Sequence, residues 1–149
     1  MDAIDAKIVE LLQENARITV SQIGRLVNMT QPAVSERIRK LEEKGVIQGY
    51  KVILDPEKLG RHVTAYILIQ AGNCGKVIEF CNQSPEVVEA HQLSGQFNFM
   101  IKVMTHSMRT LEEFILTCSQ HGHTTTMTVL STPIESKLMS FDISFMTRP

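Results

Sequence analysis

The chain has 149 residues, room for one domain or two small ones, and its 43 % hydrophobic content can supply a core to each. A formal net charge of −1 excludes a globally basic nucleic-acid protein, so any polyanion binding must come from a local basic face. No apolar run approaches the roughly 18–20 residues of a membrane span. The three cysteines, Cys74, Cys81 and Cys118, have no C-x-x-C spacing; without a signal peptide they read as reduced, semi-buried thiols of a cytoplasmic protein.

Asp2 can cap a first helix whose apolar stripe is Ile4, Ile8, Leu11 and Leu12. Thr19 or Ser21 would cap a second, carrying Ile23, Leu26 and Val27. Thr30 would cap a third, with Pro32 in its first turn, where a missing N–H is harmless, and Gly45 placed to end it in a left-handed conformation. Two short helices joined by a tight turn, with a third to complete their core, form the layout of a helix-turn-helix.

On the third helix Val34, Ile38 and Leu41 project within about 30° of one direction and form its underside. The opposite side carries Pro32, Glu36, Arg39, Lys40 and Glu43, with Gln31, Ser35 and Arg37 on the flanks. Gln31, Ser35 and Arg39 can meet base edges; Arg37 and Lys40 suit phosphates. Residues 30–51 hold five basic side chains against three acidic ones, the local excess that the whole chain lacks. The expected DNA-contacting set is therefore Thr30, Gln31, Pro32, Ser35, Glu36, Arg37, Arg39 and Lys40.

Beyond Gly45, residues Ile47, Tyr50, Val52 and Leu54 predict a short hairpin or strand, a wing beside the helix-turn-helix. Asp55-Pro56 ends it, and the run to Gly60 reads as a hinge. The predicted organisation is a winged helix-turn-helix over residues 1–54, a linker over 55–61 and a second domain over 62–149.

In that second domain residues 62–71 read as a β-branched and aromatic strand, and 76–83 as a helix. Residues 87–93 and 97–104 are two strands around a Ser94-Gly95-Gln96 turn. A helix capped by Ser107 follows over 107–121, then an alternating strand over 124–131. The order β-α-β-β-α-β is the ferredoxin-like split, so the fold class is α+β. Met139, Phe141, Ile143 and Phe145 alternate with polar residues and predict a last strand extending the sheet. With both helices on one face the other face is left bare, with Tyr66, Leu68, Met100 and Met127 as its candidates. An apolar sheet of that size implies a homodimer closing sheet on sheet about a two-fold axis. Such a pair would present two recognition helices to half-sites about 34 Å apart.

With these residues in view the chain resembles the Lrp/AsnC family, the leucine- or asparagine-responsive transcriptional regulators of bacteria and archaea. The matching stretches are D-x-x-I-x-x-L-L-Q-E-N-A-R-I-T from Asp5, I-G-R-L-V-N-M-T-Q-P-A-V-S-E-R-I-R-K-L-E-E-K-G-V-I-Q-G-Y from Ile23, Leu59-Gly60, and S-G-Q-F-N-F-M-I-K-V from Ser94. The resemblance implies a winged helix-turn-helix reading double-stranded DNA, and a ligand-sensing αβ domain. It also implies dimers assembled into higher homo-oligomers such as octamers, with small amino acids as effectors. It places the effector site at Gly95, Gln96, Phe97 and Asn98, with Ser131 and Thr132 contributing. The family pattern there is close to G-x-Y/F-D-Y/F, whose acid helps hold the ligand's ammonium; Asn98 stands in its place and brings no charge.

Other constellations carry less. His121 and His123 lack a third donor group nearby in sequence, so no metal is expected. No nucleophile elbow or phosphate-cradling glycine loop is present, and neither an enzyme nor a cofactor is predicted. An architectural protein that wraps DNA without an effector is the alternative reading, with a sirohaem-decarboxylase-like enzyme behind it.

Overall fold

The computed structural model describes residues 1–140, and these divide into two compact units. One comprises Met1–Val52 together with the chain from Ile134; the other is Ile53–Pro133.

The first unit holds three helices: α1 (Ala3–Glu14), α2 (Val20–Leu26) and α3 (Gln31–Glu43). Asp2 and Asp5 form a reciprocal capping box at the start of α1, each side chain accepting the other's backbone N–H. Thr19, rather than Ser21, caps α2, in a second box closed by Gln22. Ile8, Leu11, Ile23, Val34 and Leu41 meet in one core. The turn between α2 and α3 depends on Gly24, since a Cβ there would sit 2.6 Å from the Met29 carbonyl oxygen. Helix α3 ends in a Schellman arrangement. Gly45 adopts φ +69°, its N–H donates to Glu42 O, and the Val46 N–H donates to Leu41 O.

Two expectations change here. Thr30 occupies the N-cap position of α3, yet its hydroxyl makes no capping hydrogen bond. Residues 47–54 form no strand: Val52 and Ile53 are each 82 % exposed, and a strand needs a neighbouring strand that this stretch lacks among the described residues.

The second unit runs β1 (Val63–Ala71), α4 (Cys74–Gln83), β2 (Val87–Gln92), β3 (Phe99–Thr105), α5 (Met108–Cys118) and β4 (Gly122–Thr128). The strands form one antiparallel sheet in the order β2-β3-β1-β4, as the βαββαβ pattern requires. Ala65, Ile67 and Ile69 of β1 and Phe99, Ile101 and Val103 of β3 point to one face, where Val77 of α4 and Leu111, Phe114 and Cys118 of α5 cover them. The register puts Tyr66 beside Lys102 and Met127, and Leu68 beside Met100 and Thr125, on the opposite face.

The stretch predicted as a linker folds onto this second unit. A short 3-10 turn over Glu57–Leu59 starts on the Asp55 carboxylate, which accepts the Glu57 N–H. The Arg61 guanidinium donates to Met104 O at 2.8 Å, and His106 Nδ1 lies 2.5 Å from Gly60 O.

The predicted last strand falls largely outside the described residues. Met139 lies outside any strand, its backbone bonded to the Gln13 side chain of α1; Phe141, Ile143 and Phe145 lie outside the described residues.

Candidate nucleic-acid interface and effector loop

Helix α3 is amphipathic, and its underside fixes which side chains face solvent. Val34 and Leu41 are buried and Ile38 half-buried, so Gln31, Pro32, Ser35, Glu36, Arg39 and Lys40 stand exposed on the other side. The Thr30 hydroxyl, not engaged in capping, lies at the head of this face. Arg39 is held by two carboxylates of its own helix. Its Nε and Nη2 donate to Glu36 at 2.9 and 2.7 Å, and its Nη1 donates to Glu43. Lys40 pairs with Glu36 at 3.5 Å. The hydrogen bond and charge of Arg39 draw the Glu36 carboxyl below its ordinary pKa. All four groups are solvent-exposed, so these pairs hold the side chains loosely and yield to a phosphate or a base at small cost.

Arg37 differs. Its Nη1 donates to Asp2 Oδ2 and to Asp5 Oδ1, both at 2.7 Å, and its side chain is only 27 % exposed. The guanidinium thus ties α3 to the capping box of α1, pointing away from the exposed face. Asp2 is held below the usual carboxylate range, first by the Asp5 backbone N–H and then by Arg37. Helical spacing placed Arg37 on the flank; nothing in the spacing signals a partner more than thirty residues away.

The loop expected to hold the effector lies between β2 and β3. Gly95 adopts φ +130°, Gln96 is exposed, and Phe97 is half-buried. Asn98 is fastened on four sides. Its Nδ2 donates to Ala71 O and its Oδ1 accepts the Ala71 N–H, both at 2.8 Å; its N–H donates to Ile69 O, and its own carbonyl accepts from Leu93. Both ends of the side-chain amide are thereby occupied. Ser131 and Thr132 follow β4 in the same unit and are exposed, with no hydrogen bond to this loop among the described residues.

His121 stacks on Phe80 with ring centroids 4.5 Å apart, a packing role. Burial raises the Cys81 thiol, and burial together with the neighbouring Cys81 raises the Cys118 thiol to about 11.

A helix-turn-helix with an exposed polar face on its second helix, followed by an antiparallel αβ unit whose helices cover one face of its sheet, is the layout of a two-domain DNA-binding regulator. Comparison with known proteins makes this specific. Residues 1–42 match the AsnC-type helix-turn-helix domain and residues 64–139 the Lrp/AsnC ligand binding domain, and the chain belongs to the Lrp/AsnC family of transcriptional regulators. It is 44 % identical over 131 residues to the HTH-type transcriptional regulator YezC of Bacillus subtilis (strain 168), covering 88 % of this chain and 94 % of that one. Among solved structures it is similar to LrpC of B. subtilis, with TM-score 0.85 at 28 % identity over 92 % of this chain and 99 % of that one. A Neisseria meningitidis regulator, NMB0573, solved as an L-Met complex, shares the fold with TM-score 0.84 at 24 % identity, over 94 % and 96 % of the two chains. The relatives are transcriptional regulators, so neither the sirohaem-decarboxylase-like reading nor the effector-free architectural one is favoured. No helix of the described residues is long and apolar enough to cross a membrane.

Proposed function

We propose that α3 reads DNA through Gln31, Ser35 and Arg39 at base edges, and through Thr30 and Lys40 at phosphates, with Pro32 and Glu36 shaping the contact surface. Arg37 supports the reading helix from behind. The observation that carries this is the exposed polar face of α3 on a buried apolar underside, which presents donors of the right length along one line. The protein acts in the cytoplasm, where its DNA is.

The second unit is the sensor and the dimer-forming part. The sheet face that carries no helix among the described residues, with Tyr66, Leu68, Met100 and Met127 in one patch, supports a homodimer that sets two recognition helices on one duplex. Assembly of such dimers into larger rings, an octamer among them, follows the family pattern. The effector is a small amino acid or related metabolite, held by the backbone and side chains of Gly95, Gln96 and Phe97 and by Ser131 and Thr132. The L-Met complex of the Neisseria regulator supports that ligand class. Asn98 serves the site as a positioning residue, since its amide is already paired.

The test is a gel-shift titration on the DNA upstream of the protein's own gene, run with and without an amino-acid panel and beside light scattering. Salt-sensitive, sequence-selective binding by a dimer or larger species is expected, with one amino acid changing affinity or size. Equal binding to random duplex at every salt concentration would overturn the reading of α3.

A further inference from the structure

The polypeptide enters the sensor unit at Ile53 and leaves it at Pro133, and from Ile134 it rejoins the helical unit. What fastens it there is Gln13 on α1. The Gln13 amide donates through Nε2 to Met139 O at 3.1 Å and accepts the Met139 N–H on Oε1 at 2.8 Å. One side-chain amide so satisfies both backbone groups of a single residue, a contact that recognises extended chain whatever its side chain. Met139 itself is 75 % exposed, so the backbone, and not the thioether, is what is held.

Beside this clamp lies an apolar groove of about 490 Å³, walled by Val9 and Leu12 of α1, by Ala16 just beyond its end, and by Val46, Ile47 and Tyr50. The Tyr50 hydroxyl donates to Glu42 at 3.0 Å, which pins that wall to α3. Met139 borders the groove.

We propose that the segment from Ile134 to Ser140 is a strap, fastened to α1 by the Gln13 clamp beside this groove, through which the sensor acts on the DNA-binding unit. Ser131 and Thr132 immediately precede it in the chain, so a ligand that orders them alters the pull on the strap; this coupling rests on the effector reading proposed above. The other crossing, at Val52–Ile53, begins in exposed chain with no comparable clamp among the described residues.

Amide hydrogen exchange on the full chain tests the strap without any ligand. In the wild type the Met139 amide is expected to exchange more slowly than free chain. Gln13→Ala and Gln13→Met should each speed it roughly three- to tenfold, the factor one net hydrogen bond represents. The Leu11 and Ile101 amides, inside α1 and β3, serve as controls for global loosening and should not move. A Met139 amide exchanging at the free rate in the wild type, or unaffected by Gln13→Ala, would overturn the strap. DNA binding with and without the amino-acid panel tests the coupling. Gln13→Met should keep ligand-free affinity and lose the ligand's effect; an undiminished effect overturns the coupling. If no amino acid shifts the wild type, the effector reading falls and the coupling with it, while the exchange result still decides the strap.

Discussion

The carboxamide of Asn98 pairs with both the N–H and the C=O of Ala71, two residues beyond the last β1–β3 pair of Ile69 with Phe99. It acts there as one more rung of the sheet and joins the end of β1 to the loop that carries Gly95. A carboxylate in the same position keeps the acceptor for the Ala71 N–H but faces the Ala71 carbonyl with a second negative oxygen. The family's usual acid and this chain's amide therefore do different things to the backbone.

Asn98→Asp is expected to destabilise the sensor unit by about 1–3 kcal/mol at neutral pH, the cost of opposing a partly buried carbonyl with a charge. Protonation restores the missing donor, because a carboxylic acid mimics the amide. The folded state thus favours the proton, and the pKa of the introduced carboxyl is raised above its unfolded value. Stability on that account is fully present below the unfolded pKa and is lost as pH rises through the folded one. Thermal melts from neutral pH into the ordinary carboxylate range should show the variant approaching wild type on the acid side. A pH-independent deficit would mean that Asn98 matters through packing alone.

Arg37→Ala should lower the stability of the helical unit by about 1–2 kcal/mol, since the guanidinium bridges α3 to two carboxylates from a half-buried position. The sign with pH follows from Asp2, whose folded pKa is depressed. That contribution is present above the unfolded pKa and lost as pH falls through the folded one, so the wild type's advantage over the variant should shrink in acid. Melting curves of the two proteins check this. A drop in DNA affinity at unchanged melting temperature would return Arg37 to the phosphate-contacting role its position on the helical wheel gave it.

Much of this architecture was legible in the sequence because it is local. The caps at Asp2, Thr19 and Ser107, the underside of α3 and the alternation of β1 and β3 all follow from spacings of two to four residues. What escaped are contacts between residues far apart in sequence. Arg37 with Asp2, Asn98 with Ala71 and Gln13 with Met139 leave no period to read. The two amide clamps are opaque for a further reason: an Asn or Gln that pairs with backbone demands nothing of its partner's side chain. The wing failed differently, as residues 47–54 have strand composition but no strand beside them among the described residues.

On the DNA face, Arg39→Ala is expected to cost about 1–3 kcal/mol on a preferred site and little on random duplex, because a mid-helix outward guanidinium suits a guanine edge. Lys40→Ala should instead weaken all duplexes and reduce the salt slope by about one. Glu36→Gln provides the converse. It removes the carboxylate that engages both Arg39 and Lys40, so affinity for every duplex should rise. Titrations at several salt concentrations separate the three. Parallel losses for Arg39→Ala on specific and random DNA would remove its base-reading role.

The uncovered sheet face gives the last prediction. Leu68 lies across from Met100 on β3 and Thr125 on β4, and Tyr66 across from Lys102 and Met127, at the centre of a face with no helix over it among the described residues. Leu68→Asp puts a charge into the middle of the proposed dimer seam, where burial without a partner costs several kcal/mol. The monomer's core is untouched, since Ile67 and Ile69 on the opposite face carry it. Light scattering should therefore find a folded monomer, with DNA affinity reduced far more than the loss of one half-site contact explains, because two recognition helices no longer bind as a unit. A dimer that survives Leu68→Asp with unchanged mass would place the two-fold seam elsewhere on the molecule.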